Sequence, residues 1–174
     1  MKKTLVILAH PNIEGSVANK KWKEEAEKNS DVIVHNIYEA YPDGNIDVNK
    51  ELKLLTETEN LILQFPIYWF NCPPLLKTWF DKVIMAAHFV EENKILAGKK
   101  IGLAVTTGGQ KERYDGTYGV TLAEVLTPFR LSIKYLNAIE LPIHSIHGIM
   151  GENINEEEVL KSAKEYGEYL KNNL

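Results

Sequence analysis

The chain predicts a doubly wound α/β domain: a five-stranded parallel sheet with helices on both faces. Two observations carry this. Five short apolar segments, "TLVILAH", "DVIVHNI", "NLILQFP", "KIGLAVTT" and "AIELPIHSI", alternate with longer stretches of helical periodicity, the pattern of a parallel sheet covered on both sides. The first, third and fourth are near-continuous apolar runs, as central strands buried on both faces require. At 174 residues the chain suffices for one sizeable core, so a single domain over residues 1–174 is expected.

The helices follow in order. Ser16 is a good N-cap residue, and Ala18, Trp22 and Ala26 recur every fourth position behind it, predicting a helix over 16–28. "YEAYPDGNIDVNKELKLL" is a long connection with turn residues in its first half and a helix over 48–56. Pro74 suits the first turn of the next helix, whose broad apolar face holds Leu75, Leu76, Trp79, Phe80, Val83 and Ile84. Pro128 interrupts a pattern of Leu122, Val125, Leu126 and Phe129, so a break is expected there, with Thr127 capping a second helix. Asn155 and Glu158 resemble a capping box ahead of the stripe Val159, Ala163, Tyr166 and Leu170.

Charge narrows the function. The net charge is −4 and the lysines are scattered among glutamates; even "NKKWK" runs straight into "EEAEK". That reads as a solvated helix face, and no nucleic-acid partner is expected. No apolar run is long enough to cross a bilayer and the N-terminus lacks a signal-peptide pattern, so a cytoplasmic protein is expected. Its one cysteine, Cys72, cannot form an internal disulfide and has no CxxC partner; a packed thiol is the expectation. His144 and His147 have no Cys or acidic cluster to complete a metal site, so they are read as strand-end histidines and no metal is expected.

A doubly wound sheet binds its ligand outside the carboxyl ends of its strands. After strand one, "AHPNIEGSVANK" matches neither the P-loop nor the dinucleotide fingerprint, yet it leads into a helix N-terminus, which favours an anion. Ser16 and Asn19 add hydroxyl and amide donors there, and His10 stands at the strand exit. After strand three, "QFPIYWFNCPP" gathers large rings where a turn calls for small residues. Tyr68, Trp69 and Phe70 cannot all point inward, so at least one lines the crevice. After strand four, "VTTGG" offers hydroxyls and two glycines that permit close backbone approach and tolerate positive φ. Each loop alone also has a plain structural reading, as N-cap, core ring or ordinary turn. Together they suit a ligand with a phosphate tail and a planar, polar-edged head, the shape of flavin mononucleotide (FMN).

At these motifs, and at "YPDGNID" and "FPIYWFNCPPLLKTWFDKV", the chain resembles the flavodoxin-like NAD(P)H:quinone oxidoreductases, especially the ancillary flavoproteins of glutathione-gated potassium efflux systems and more distantly DT-diaphorase. The resemblance implies a flavodoxin-like sheet in the order 2-1-3-4-5. It implies that His10, Ser16, Val17, Ala18 and Asn19 hold the phosphate and ribityl end of FMN, used rather than FAD. Pro66, Ile67, Tyr68, Trp69 and Phe70 would run along the isoalloxazine, and Thr106, Thr107, Gly108 and Gly109 would meet its polar edge. NAD(P)H would pass a hydride to the flavin and a quinone or similar electrophile would take it, in a ping-pong cycle on a homodimer. Tyr114 corresponds to a tyrosine that assists proton movement in the DT-diaphorase type, whereas the accompanying histidine has no evident match and Tyr118 lies nearby instead. Two other readings stay open: a regulatory subunit of a membrane potassium efflux transporter, held at the inner face of the membrane by that partner, and a flavodoxin-type electron carrier.

Overall fold

The computed structural model describes residues 3–89, 94–151 and 154–173. Its parallel sheet comprises β1 (Thr4–Leu8), β2 (Val32–Asn36), β3 (Asn60–Ile67), β4 (Lys100–Thr107), β5 (Ile139–Glu140) and β6 (His144–Ile146). The order is β2-β1-β3-β4-β5, with β6 also on β4. This is the expected order, with one difference. The fifth apolar segment forms two short strands, because Pro142 between them has no N–H for the ladder.

The helices are α1 (Ala18–Ala26), α2 (Ile37–Ala40), α3 (Val48–Thr56), α4 (Pro74–Trp79), α5 (Met85–Phe89), α6 (Leu122–Val125), α7 (Thr127–Tyr135) and α8 (Glu156–Asn172). Ser16 does act as a cap, its hydroxyl accepting from the Asn19 N–H at 3.2 Å, although the regular helix is shorter than the expected 16–28. Asp47 caps α3 and Asn155 accepts from both Glu157 and Glu158 N–H at the start of α8. The break at Pro128 is present between α6 and α7. Thr127, however, does not cap; its hydroxyl donates back to the Ala123 carbonyl at 3.3 Å. One feature had no sequence signal: Phe80–Ile84 between α4 and α5 forms a π-helical segment, a local widening often found near functional surfaces.

Strand alternation sorts the core into two layers. Leu5, Ile7, Leu61, Leu63 and Phe65 face a cluster with Leu55, Trp79, Val83 and Phe129. Val6 and Ile62 face Trp22, Ala163, Tyr166 and Leu170 of α1 and α8 on the other side. Trp22 and Trp79 are both fully buried. Glu51 of α3 is also fully buried and accepts hydrogen bonds from His35, the Tyr41 hydroxyl and the Trp79 indole. Burial pushes the Glu51 carboxyl up, but these three donors outweigh it and hold the group below its ordinary pKa. Among the described residues no helix is long and apolar enough to cross a membrane.

Candidate functional site

The carboxyl ends of β1, β3 and β4 meet through a buried polar network. Gln64 of β3 donates through Nε2 to the Asn19 carbonyl at 3.0 Å, and Asn19 donates through Nδ2 to the Thr106 hydroxyl at 2.9 Å. The start of α1 is thereby tied to the two strands beside it. Asn19 is 1% exposed, so its amide is committed inward and is not the free donor beside Ser16 that the sequence suggested. The loop before α1 is organised by its own side chains: the Asn12 N–H donates to His10 Nδ1 and the Gly15 N–H to Asn12 Oδ1, both at 3.1 Å. Accepting at Nδ1 leaves the His10 proton on Nε2. Burial lowers the His10 pKa below its ordinary value, favouring this neutral form. Val17 is exposed and Ala18 buried. Their N–H groups open the helix, where no preceding turn supplies acceptors.

Strand register joins the second and third loops, with Pro66 beside Thr106 and Ile67 beside Thr107. Pro66 and Ile67 are buried in β3. Beyond them the chain makes a tight hairpin turn: the Tyr68 N–H donates to Asn71 O at 2.8 Å and the Asn71 N–H to Tyr68 O at 3.0 Å. Its two central residues, Trp69 and Phe70, both have left-handed backbone, with φ of 48° and 62°. Such a turn usually carries Asn-Gly. The rings project rather than pack: Tyr68 is 43%, Trp69 94% and Phe70 58% exposed. None of the three is core. Cys72, next in line, is buried, and burial raises its thiol pKa; the packed thiol is the right reading.

The glycine edge differs from expectation in its reason. Neither Gly108 nor Gly109 has positive φ. What crowds a side chain there is the protein itself: a Cβ on Gly108 would lie 3.2 Å from Met150, and one on Gly109 would lie 2.9 Å from the Arg113 side chain and 3.2 Å from the Tyr114 ring, so these neighbours would have to shift. Thr106 and Thr107 are buried with their hydroxyls already bonded, so only backbone remains to face a ligand along this edge. Tyr114 bridges the loops, its ring centroid 6.5 Å from Phe70 and 5.5 Å from His147. His147 is the residue that sequence reasoning set aside as a strand-end histidine. It arrives because β6 pairs back onto β4, and its Nδ1 is 3.0 Å from the Thr107 hydroxyl. Tyr118 is 71% exposed, with the Arg113 guanidinium over its ring at 5.9 Å. His144 packs instead between Trp22 and Tyr166, away from these loops.

A separate apolar groove of about 690 Å³ is lined by Phe80, Ile84, Met85, Phe89, Leu131 and Tyr135 among others. It belongs to the π segment, α5 and α7, not to the loops at the strand ends. Among the described residues no group of three His, Cys, Asp or Glu could hold a metal ion.

A model of the flavodoxin-like fold family matches residues 2–170, and the chain belongs to that family. Its relatives include the NAD(P)H oxidoreductase YrkL of Bacillus subtilis, 39% identical over 97% of this chain and 98% of the relative. The potassium-efflux ancillary protein KefG of Pectobacterium carotovorum is 33% identical over 97% of this chain and 92% of its own. Among solved structures, general stress protein 14 of Treponema denticola in complex with FMN superposes with a TM-score of 0.91 at 43% identity, covering 99% of both chains. An NADPH-quinone reductase from P. pentosaceus gives 0.84 at 27% identity over 96% of each chain.

Proposed function

We propose that the chain is an FMN-dependent NAD(P)H oxidoreductase of the quinone-reductase type, passing reducing equivalents to quinones or similar small electrophiles by a ping-pong cycle. The observation that carries the reading is the convergence of three loops around the Asn19 bridge, which sets a helix N-terminus, a projecting aromatic turn and a backbone edge side by side. The FMN complex of the Treponema denticola relative supports it.

The donor set suits FMN. The N–H groups that open α1, the Ser16 hydroxyl hydrogen and the His10 Nε2–H can all donate to a phosphate, while the exposed rings of Tyr68, Trp69 and Phe70 offer an apolar wall for a planar ring system. Bound FMN would supply the hydride acceptor and donor. The protein's part is orientation: Pro66 and Ile67 fix the floor of the wall, and the hairpin turn holds its rings clear of the core. Tyr114 lies between Phe70 and His147, where its hydroxyl would hand a proton to the acceptor. The exposed apolar groove on α5 and α7 is the face through which we propose a second copy docks to make a homodimer.

The test is direct. Purified protein should take up FMN and turn yellow, bleach anaerobically with NADH or NADPH, and regain colour on adding a quinone. A protein that ignores added FMN would sink the proposal. The likeness to KefG favours a second reading, a regulatory subunit of a potassium efflux transporter. Co-purification with such a transporter, and its altered gating by a variant that cannot bind FMN, would support it.

A further inference from the structure

We infer that His147 is a positioning residue of this site: as the neutral Nδ1–H tautomer it fixes the Thr107 hydroxyl and braces the Tyr114 ring. The inference rests on the FMN reading for its functional consequence, but its geometry stands in the protein alone.

Proton counting assigns the tautomer. Thr107 Oγ1 lies 2.8 Å from the Gly109 carbonyl and 3.0 Å from His147 Nδ1. A hydroxyl has one hydrogen and a carbonyl only accepts, so that hydrogen goes to Gly109 and Nδ1–H must donate to Thr107. Nε2 is then the acceptor, and the Ser145 hydroxyl 3.3 Å away is placed to donate to it. Burial, assisted by the charge of Lys111, pushes the His147 pKa down, so the ring stays neutral at pH 7 and the arrangement persists.

The same residues anchor the glycine edge. The Gly148 N–H donates to Gly109 O and the Ile149 N–H to Thr107 O, both at 2.9 Å. The Gly109 carbonyl therefore receives two donors, the Thr107 hydroxyl that His147 contacts and the Gly148 N–H next to His147 in the chain. In a planar trans peptide the N–H opposes the C=O, so the Gln110 N–H is sent away from those two donors. Tyr114 meanwhile lies against Gly109 on one side and at 30° to the His147 ring on the other. His147 thus links the hydroxyl, the backbone edge and the phenol, and no flavin contact of its own is needed for it to matter.

The substitutions separate its two nitrogens. Asparagine places an amide donor near the position of Nδ1, whereas glutamine reaches the position of Nε2. The ¹⁵N spectrum of histidine-labelled apoprotein at pH 7 should show His147 as the Nδ1–H tautomer, and Thr107→Val should release it toward Nε2–H. By flavin-fluorescence titration, His147→Asn should keep FMN affinity within about twofold of wild type, while His147→Gln and His147→Phe lose about fivefold to tenfold, the worth of one net hydrogen bond. An Nε2–H tautomer in the wild-type apoprotein overturns the inference, as does equal FMN affinity in all three His147 variants. Wild-type protein that shows the Nδ1–H tautomer but binds no FMN would overturn the cofactor proposal and leave the tautomer assignment standing. If His147→Phe does not fold, the Thr107→Val spectrum decides.

Discussion

Replacing Trp69 with asparagine should stabilise the protein while weakening its proposed function. Trp69 and Phe70 occupy the two central positions of the turn with φ of 48° and 62°, and an L side chain in that region costs about 1–2 kcal/mol. Asparagine enters the left-handed region readily because its short polar side chain bonds locally. The ring is 94% exposed, so its removal forfeits almost no buried surface. The expected gain is about 1 kcal/mol, or a rise in Tm of about 2–4 °C for a chain of this length. Far-UV circular dichroism of apoprotein should be used, at one fixed concentration because self-association would shift the midpoint. Trp69→Ala is the control: it removes the same ring without relieving the backbone and should gain little. Both variants should bind FMN more weakly than wild type. An asparagine variant no more stable than the alanine variant would refute the claim that the turn is strained.

Three further outcomes follow from the buried polar groups. Glu51→Ala strands the Trp79 indole and Tyr41 hydroxyl in the core and should cost roughly 3–5 kcal/mol, read as a lowered urea midpoint at unchanged slope. Because the folded-state pKa of Glu51 lies below its ordinary 4.5, its contribution is present above that value and lost as pH falls through the folded pKa. Asn19→Ala removes the amide donor from the buried Thr106 hydroxyl and the 3.3 Å contact of Asn19 Oδ1 with Gln64, which keeps the Asn19 backbone carbonyl; it should cost about 1–2 kcal/mol and lower FMN affinity with it. Burial pushes His144 down to about 4 from 6.5. The folded state therefore refuses a proton that the unfolded chain accepts, and stability should fall by at most roughly 3 kcal/mol as pH drops from 6.5 toward 4. Comparing unfolding midpoints with His144→Phe over that range isolates the imidazole from the carboxylates.

Much of the fold was readable because continuous apolar runs declare central strands, and α3 spans Val48–Thr56 as its pattern predicts. The three loops of the candidate site were readable because topology alone places them at the strand ends. What resisted was local conformation and long-range pairing. Nothing in "YWFN" announces two left-handed aromatic residues, since propensity reserves that turn for Asn and Gly. The inward commitment of Asn19 depends on Gln64 and Thr106, residues distant in sequence. His147 meets Tyr114 only because the fifth segment breaks at Pro142 and its second piece resumes pairing with β4; the "HG" after that piece was the available hint, with Gly148 at a φ of 72°.

The break at Pro142 also governs how copies of this molecule can meet. An unbroken outer strand beside β4 would offer a row of unpaired N–H and C=O groups to any neighbour. Here the rim is two residues, a gap containing a proline, and three more residues, too fragmented to template addition of another chain. Growth by strand addition is blocked along this rim, whereas the homodimer proposed through the apolar helical face of α5 and α7 would be a closed pair that seeds no fibre.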